Sequence, residues 1–219
     1  MTKILLLGAT GRTGKELVPL ALEKGHSLRC LVRDSSKMPV KDQRLEVLQG
    51  NPGDKNLLSS AMEGADAVIS VLNISRRNDF PWAALRTNKN FLSDVIGKVT
   101  EIATQQSVKR LIVCSAWGVA DTRPHLPGWF RWLIDNSNIG VAYRDHERQE
   151  ELVKQSNLDW TIVRPVGLTN SSKNQEMIIS FDNQPKPTFT ISRRSLASFM
   201  LEVLHKPEFI GKTPTISAK

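Results

Sequence analysis

The stretch Lys3-Ile4-Leu5-Leu6-Leu7-Gly8-Ala9-Thr10-Gly11-Arg12-Thr13-Gly14 decides the fold. Five residues of apolar strand character run straight into a glycine-rich turn. Lys15 to Lys24 then places Leu17, Val18, Leu20, Ala21 and Leu22 at helical spacing until Gly25 stops it. Glycines at 8, 11 and 14 keep Cβ atoms out of a tight strand-to-helix turn, so backbone N–H groups can approach a pyrophosphate while the helix N-terminus adds its partial positive charge. A glycine pattern alone is weak; one between a strand and a helix, near the start of an alternating chain, is a dinucleotide-binding signal. The P-loop of nucleotidases is excluded, because no Gly-Lys-[Ser/Thr] follows at the required spacing.

Outward from that loop, apolar runs alternate with helical stretches. Strands are expected at Ser27 to Val32, Arg44 to Gln49, Ala67 to Leu72, Val108 to Ser115 and Trp160 to Arg164. Helices are expected from an Asp54 cap through Met62, over Trp82 to Gln106, and over Asp145 to Gln155. Near-continuous apolar strands separated by helices indicate a parallel sheet covered on both faces. The expected fold is therefore α/β, a doubly wound (Rossmann) parallel sheet with a small C-terminal lobe. The rhythm weakens after Pro165: a polar stretch at 170–174, weak strands at Met177 to Phe181 and Thr188 to Ile191, then a helix from Arg193 to His205 capped by Ser192. Residues 1–219 are read as one NAD(P)-binding domain, with 166–219 as a small substrate-side lobe.

The chain has 219 residues, 40% of them hydrophobic and 24% charged, a balance that buries one good core and excludes wholesale disorder. No apolar run reaches the roughly 18 residues of a membrane span. The first strand is too short for a secretory leader, so a cytoplasmic protein is expected. Cys30 and Cys114 both lie in apolar runs, as buried free thiols do, and no Cys/His spacing suggests a metal. Thirty Lys and Arg against 22 Asp and Glu give a net charge of +8, which favours anionic partners. The charges are interspersed, as in Arg144-Asp145-His146-Glu147-Arg148, and no nucleic-acid motif is present. Neither a nucleic acid nor a membrane is expected as partner; a phosphorylated cofactor and an acidic small molecule would use the same field. A monomer is expected.

An NAD-selective site ends its second strand with an acid that binds the ribose 2′-OH. Here that strand ends Leu31-Val32-Arg33, and a guanidinium suits a 2′-phosphate instead. Ser36 and Lys37 follow as further donors, Arg12 approaches from the glycine loop, and Asp34 is read as a turn acid pointing away. NADP(H) is the expected cofactor.

The Tyr-x-x-x-Lys pair of many short-chain dehydrogenases is absent, since Glu147 stands four residues beyond the only tyrosine, Tyr143. Ser115 ends the fifth strand and is the candidate catalytic or nicotinamide-ordering group. Trp117, Trp129, Phe130 and Trp132 are read either as packing or as an apolar platform for a flat substrate, with His125 and Arg77 as candidate substrate contacts.

Several colinear segments, namely the Gly8 to Gly14 loop, Leu31-Val32-Arg33-Asp34-Ser35-Ser36-Lys37, Ala67-Val68-Ile69, Arg77-Asn78-Asp79, Ser115-Ala116 and Ile191-Ser192-Arg193, resemble the NmrA-like atypical short-chain dehydrogenase/reductases of the biliverdin-IXβ reductase and flavin reductase (NADPH) type. The resemblance implies an NADPH-dependent reductase of flavins such as FMN, or of linear tetrapyrroles such as biliverdin. It implies that Gly8, Thr10, Gly11, Arg12, Thr13 and Gly14 hold the pyrophosphate, and that Arg33, Ser36 and Lys37 hold the 2′-phosphate. Asn51 and Pro52, after Gly50, fall on the adenine side. Leu72, Asn73, Pro165 and Val166 line the cleft, and Ser115 orders the nicotinamide. A non-catalytic NADP(H)-binding sensor and a quinone or carbonyl reductase remain alternatives on the same scaffold.

Overall fold

The computed structural model describes residues 1–173 and 175–219, so the end of the polar stretch at Asn174 lies outside the described residues. In chain order the elements are β1 (Lys3–Leu7), α1 (Gly14–Glu23), β2 (Ser27–Val32), β3 (Leu45–Gln49), α2 (Lys55–Met62), β4 (Ala67–Ser70), α3 (Phe91–Gln105) and β5 (Arg110–Cys114). They continue with α4 (Gly128–Asp135), α5 (Ile139–Gln155), β6 (Asp159–Pro165), β7 (Gly167–Thr169), β8 (Met177–Ser180), β9 (Thr190–Ser192), α6 (Arg193–Glu202) and β10 (Thr215–Ala218).

The main sheet has the order β3-β2-β1-β4-β5-β6-β10-β8, parallel except for the last pair, β10 with β8. The chain moves outward from β1 through β2 and β3, then crosses back to β4 on the other side. The strand order therefore reverses between β1 and β4, and ligands of open α/β sheets bind at such a reversal, outside the carboxyl ends of the strands.

The apolar run of β1 is explained by burial on both faces. Ile4 and Leu6 pack with Leu17, Val18 and Ala21 of α1 and with Phe199 and Met200 of α6. Leu5 and Leu7 point the other way, into a second core with Leu58 and Met62 of α2, Val95, Ile96 and Val99 of α3, and Val153 of α5. Residues 166–219 divide their roles. β10 and β8 extend the sheet, α6 covers it beside α1, and β7 pairs with β9 as a separate two-stranded piece.

Two expected helix starts need correction, and two elements are new. The helix expected from Trp82 begins at Phe91. Residues 75–86 instead close on themselves, with Arg77 N–H on the Ala84 carbonyl and Arg86 N–H on the Ser75 carbonyl, and Asn138 captures the carbonyls of Trp82 and Ala83. The α4 helix has no counterpart in the sequence reading, and α5 starts well before Asp145. Strand β10 is also new; it slots between β6 and β8, though the run Thr215-Ile216-Ser217-Ala218 carries no strong strand signal.

The start of α3 shows why its boundary is hard to read. Its own cap position, Asn90, makes no side-chain capping bond; its side-chain oxygen accepts from Arg148 instead. The cap comes from another helix: the buried Asp145 carboxylate of α5 accepts the Leu92 N–H at 2.6 Å and the Ser93 hydroxyl at 2.6 Å. A carboxylate there also complements the positive end of the helix. Asp145→Ala should therefore lower unfolding stability by about 2–3 kcal/mol. Denaturant titration at unchanged m-value is the check, and a loss within error of zero would refute the tertiary cap.

Candidate functional site

The glycine turn leaves β1 with Gly8 at φ +92°, a left-handed conformation. A Cβ on Gly8 would lie 3.0 Å from the Val71 carbonyl group, at the end of β4. A Cβ on Gly14 would lie 2.2 Å from the Gly8 oxygen and 2.6 Å from the Ala9 backbone. The turn is closed by Gly11 N–H on the Gly8 carbonyl at 3.0 Å. The Lys15 N–H is bonded back to the Gly11 carbonyl and the Glu16 and Leu17 N–H groups to the Thr13 carbonyl, so this end of α1 offers an anion chiefly its helix dipole, directly after the turn that lies against the end of β4. A turn with no room for a Cβ at Gly8 or Gly14, at the positive end of a helix, fits the pyrophosphate of a dinucleotide. Leu72 and Asn73 leave β4 beside it. Asn73 turns its side-chain oxygen onto the Ile74 N–H, and Asn51 makes a tight turn by accepting the Gly53 N–H, with Pro52 buried.

At the end of β2, Asp34 caps a single 3₁₀ turn, Ser35–Lys37. Its carboxylate takes the Ser36 hydroxyl at 2.6 Å and the Lys37 ammonium at 2.8 Å. These hydrogen bonds from Lys37 and Ser36 pull its pKa down to about 2. Asp34 is thus the turn acid expected of it, and its charge is offset by Lys37. Arg33 is exposed, and among the described residues it forms no ion pair. The strand end therefore presents one uncompensated guanidinium, while Ser36 and Lys37 are already engaged with Asp34.

Arg12 projects from the glycine turn and is held by Asp79 through two hydrogen bonds, at 3.0 and 3.1 Å. Arg193, at the start of α6, lies close enough that burial and the charge of Arg12 depress its pKa while Asp79 partly offsets them. It donates to Asn170 at 2.5 Å. Arg77 stands exposed in the same loop as Asp79. Arg12 and Arg193 thus lie together around Asp79, with Arg77 two residues away from it in the chain.

The far side, at the ends of β5 and β6, is built differently. The Ser115 side chain turns toward α5 and donates its hydroxyl to Glu150 at 2.7 Å. Glu150 also receives Arg164 Nε at 2.9 Å and Nη2 at 2.6 Å, and Arg164 reaches on to Asp121 at 2.8 and 3.0 Å. The Arg164 and Glu150 side chains are each only 1% exposed. Burial alone would raise the Glu150 pKa, but the hydrogen bonds and charge of Arg164, with Ser115, outweigh it and hold it below its ordinary value. His146 lies in the same buried layer, where desolvation pushes it down to about 4 and keeps it neutral. Burial likewise raises the Tyr143 phenol to about 12, and its hydroxyl donates to the Trp117 carbonyl, so it offers no ready proton. Pro165 and Val166 are buried at the end of β6, facing β10.

The structure does not gather the aromatic residues into one platform. Trp117 is buried against Phe189, while Trp129 and Trp132 point outward from α4. His125 is exposed in a 3₁₀ turn. The Glu150–Arg164–Asp121 group was missed by sequence reasoning. Its signal was an arginine inside the apolar run Ile162-Val163, placed where the strand alternation points it at a helix.

A doubly wound sheet with a glycine cradle at its topological switch defines a dinucleotide-binding α/β protein. Residues 8–207 match the model of the NAD(P)H-binding family, and the chain belongs to that family. Among curated relatives, the photosystem II assembly factor Ycf39 of Synechocystis sp. is 29% identical over 99% of this chain. A (4-alkanoyl-5-oxo-2,5-dihydrofuran-3-yl)methyl phosphate reductase of Streptomyces griseus is 27% identical over 74% of this chain and 46% of its own length. This chain spans 63% and 62% of the lengths of two Ycf39 relatives. Among solved structures, ChuY, an anaerobilin reductase of Escherichia coli O157:H7, aligns at TM-score 0.80 with 20% identity, covering 99% of this chain and 97% of its own. A short-chain dehydrogenase/reductase of Veillonella parvula in complex with NADP aligns at TM-score 0.80 with 18% identity, covering 99% and 94%.

The buried ion pair gives a signed prediction. The Glu150 carboxyl has a lowered pKa in the folded chain, so its contribution is present above the ordinary value of 4.5 and is lost as pH falls through the folded value. Glu150→Gln should cost about 3 kcal/mol at neutral pH, because it leaves the buried Arg164 short of a counter-charge. The variant should also lose stability less steeply than the parent between about pH 5 and pH 3. Equal slopes in unfolding titrations across that window would remove Glu150 from the acid sensitivity of the fold.

Proposed function

We propose that this chain is an NADPH-dependent reductase that delivers hydride to a flat, conjugated, acidic acceptor, a flavin such as FMN or a linear tetrapyrrole such as biliverdin. The observation that carries the cofactor choice is Arg33. It is a guanidinium with no ion-pair partner among the described residues, at the strand end where the ribose would lie, beside an aspartate whose charge Lys37 offsets. A planar fork there pairs with a 2′-phosphate and gives nothing comparable to a ribose hydroxyl. The Gly8 to Gly14 turn would hold the pyrophosphate, with Arg12 exchanging its Asp79 bonds for phosphate oxygens.

The bound dihydronicotinamide supplies the hydride. The residues of the chain orient and shield. Ser115 would accept a hydrogen bond from the nicotinamide carboxamide while still donating its own proton to Glu150, which makes it an orienting group rather than an acid. Tyr143 is committed elsewhere and His146 is buried and neutral, so the proton that completes reduction comes from solvent. Such a site suits an acceptor that needs stacking and hydride more than it needs a general acid. Arg77 and Arg193, grouped near Asp79, favour an acceptor bearing carboxylate or phosphate groups. The anaerobilin reductase that shares the fold acts on a compound of the tetrapyrrole class, in keeping with this reading.

A second reading, binding of NADP(H) without turnover, is favoured by one feature: Ser115 is tied into a buried ion pair, as a structural serine would be. The similarity to a photosystem II assembly factor is in keeping with that reading.

NADPH oxidation followed with FMN, biliverdin and quinones separates the two. The proposed reductase turns over FMN or biliverdin with NADPH; tight NADPH binding with no turnover of any acceptor would leave the binding reading standing. Arg33→Ala should raise the KM for NADPH by about tenfold to a hundredfold and leave that for NADH nearly unchanged. Equal effects on the two coenzymes would remove the 2′-phosphate assignment. Ser115→Ala should lower kcat without abolishing it, by about tenfold.

A further inference from the structure

Helix α4 and loop 76–90, beside the coenzyme crevice, carry four well-exposed aromatic side chains. Trp129 and Trp132, three residues apart on α4, are 70% and 60% exposed, and Phe80 and Trp82 are 61% and 46% exposed. Large apolar side chains at this exposure, gathered in one region, mark an interaction surface. They are gathered by specific bonds. Trp82 Nε1 donates to the Asn136 carbonyl at 2.6 Å, Asn136 in turn donates to the Trp132 carbonyl, and Asn138 holds the carbonyls of Pro81, Trp82 and Ala83. The rings of Phe80 and Trp82 lie 5.3 Å apart. Loop 76–90 and the α4 helix are therefore clasped side by side.

The charges of these segments have one sign to offer. Both acids in them are taken by an arginine, Asp79 by Arg12 and Asp135 by Arg123. Among the described residues, Arg76, Arg77, Arg86, Lys89 and Arg131 form no ion pair, and Arg131 stands exposed between the two α4 tryptophans. Tryptophan rings beside uncompensated cations, on a short amphipathic helix, form the composition that lies at a bilayer interface: indoles at headgroup depth, guanidiniums on the phosphates. No unpaired carboxylate in either segment marks a particular partner, and a field of anionic headgroups requires none.

We propose that α4 and loop 76–90 together form a docking surface for an anionic lipid bilayer. The sequence reading set membranes aside on the length of a spanning segment, and that criterion does not bear on a helix lying in the surface plane. The surface adjoins the cationic group around Asp79, so a docked chain would present that group near the lipid.

Flotation of the full chain with vesicles tests the proposal. The chain is expected to float with phosphatidylglycerol-containing vesicles and not with pure phosphatidylcholine, and added salt weakens the association. Trp129→Ser with Trp132→Ser should cut the partition coefficient by about tenfold or more, and Arg131→Glu should also reduce it. The melting temperature and circular dichroism of each variant are measured to show that the fold is kept. Brominated lipids should quench tryptophan emission of the parent chain and do so less in the double variant. Failure to bind either vesicle would overturn the proposal and leave these rings to a protein partner. Binding undiminished in the folded double variant would overturn it as well, as a purely electrostatic association.

Discussion

The turn from Leu7 to Gly14 has no volume for a side chain at Gly8 or Gly14, and the rest of the site is arranged around that restriction. With Cβ positions at Gly8 and Gly14 ruled out by backbone atoms, β1 can pass directly into α1 with Gly8 set against the end of β4. Because β4 is the strand reached by crossing back over the sheet, the same turn marks the switch in strand order. A single steric fact thus fixes where the turn meets the helix and which strand lies beside it, at the place in the fold where ligands of such sheets bind.

The opposite wall depends on a different force. Glu150, Arg164, Asp121 and Ser115 form a closed polar set at the carboxyl ends of β5 and β6, and its inner members are removed from water. Such a set is costly to desolvate and contributes little net stability against an apolar equivalent, but each member fixes the rotamer of the next. The same helix, α5, carries Asp145 to the start of α3 and Glu150 to the end of β5. Helix α5 is therefore polar on a face that a packed helix would normally make apolar, because its buried positions serve as connectors.

The features legible in the sequence are those with local causes. Gly8, Gly11 and Gly14 announce themselves because a turn's sterics act within a few residues, and Arg33 does so because a strand end fixes its direction. Two-sided burial made β1, β2, β4 and β5 readable as continuous apolar runs. Features that depend on distant partners were not readable. Arg164 looks like the polar end of a strand until Glu150, a helical residue 14 positions earlier, comes into contact with it. Residues 82–90 have fair helical character, yet the carbonyls of 81–83 are held by Asn138. The α4 tryptophans read equally well as packing or as a substrate platform, since exposure is a property of the assembled surface and not of the segment.

The position of β10 has a consequence for how the chain is made. Strand β8 leaves the ribosome well before residues 215–218, yet among the described residues its neighbour in the sheet is β10. During synthesis the six strands from β3 to β6 can zip together in turn, while 177–180 must wait as an unpaired edge. The nascent polypeptide therefore carries an open seam beside β6 until Thr215 to Ala218 arrive to close it.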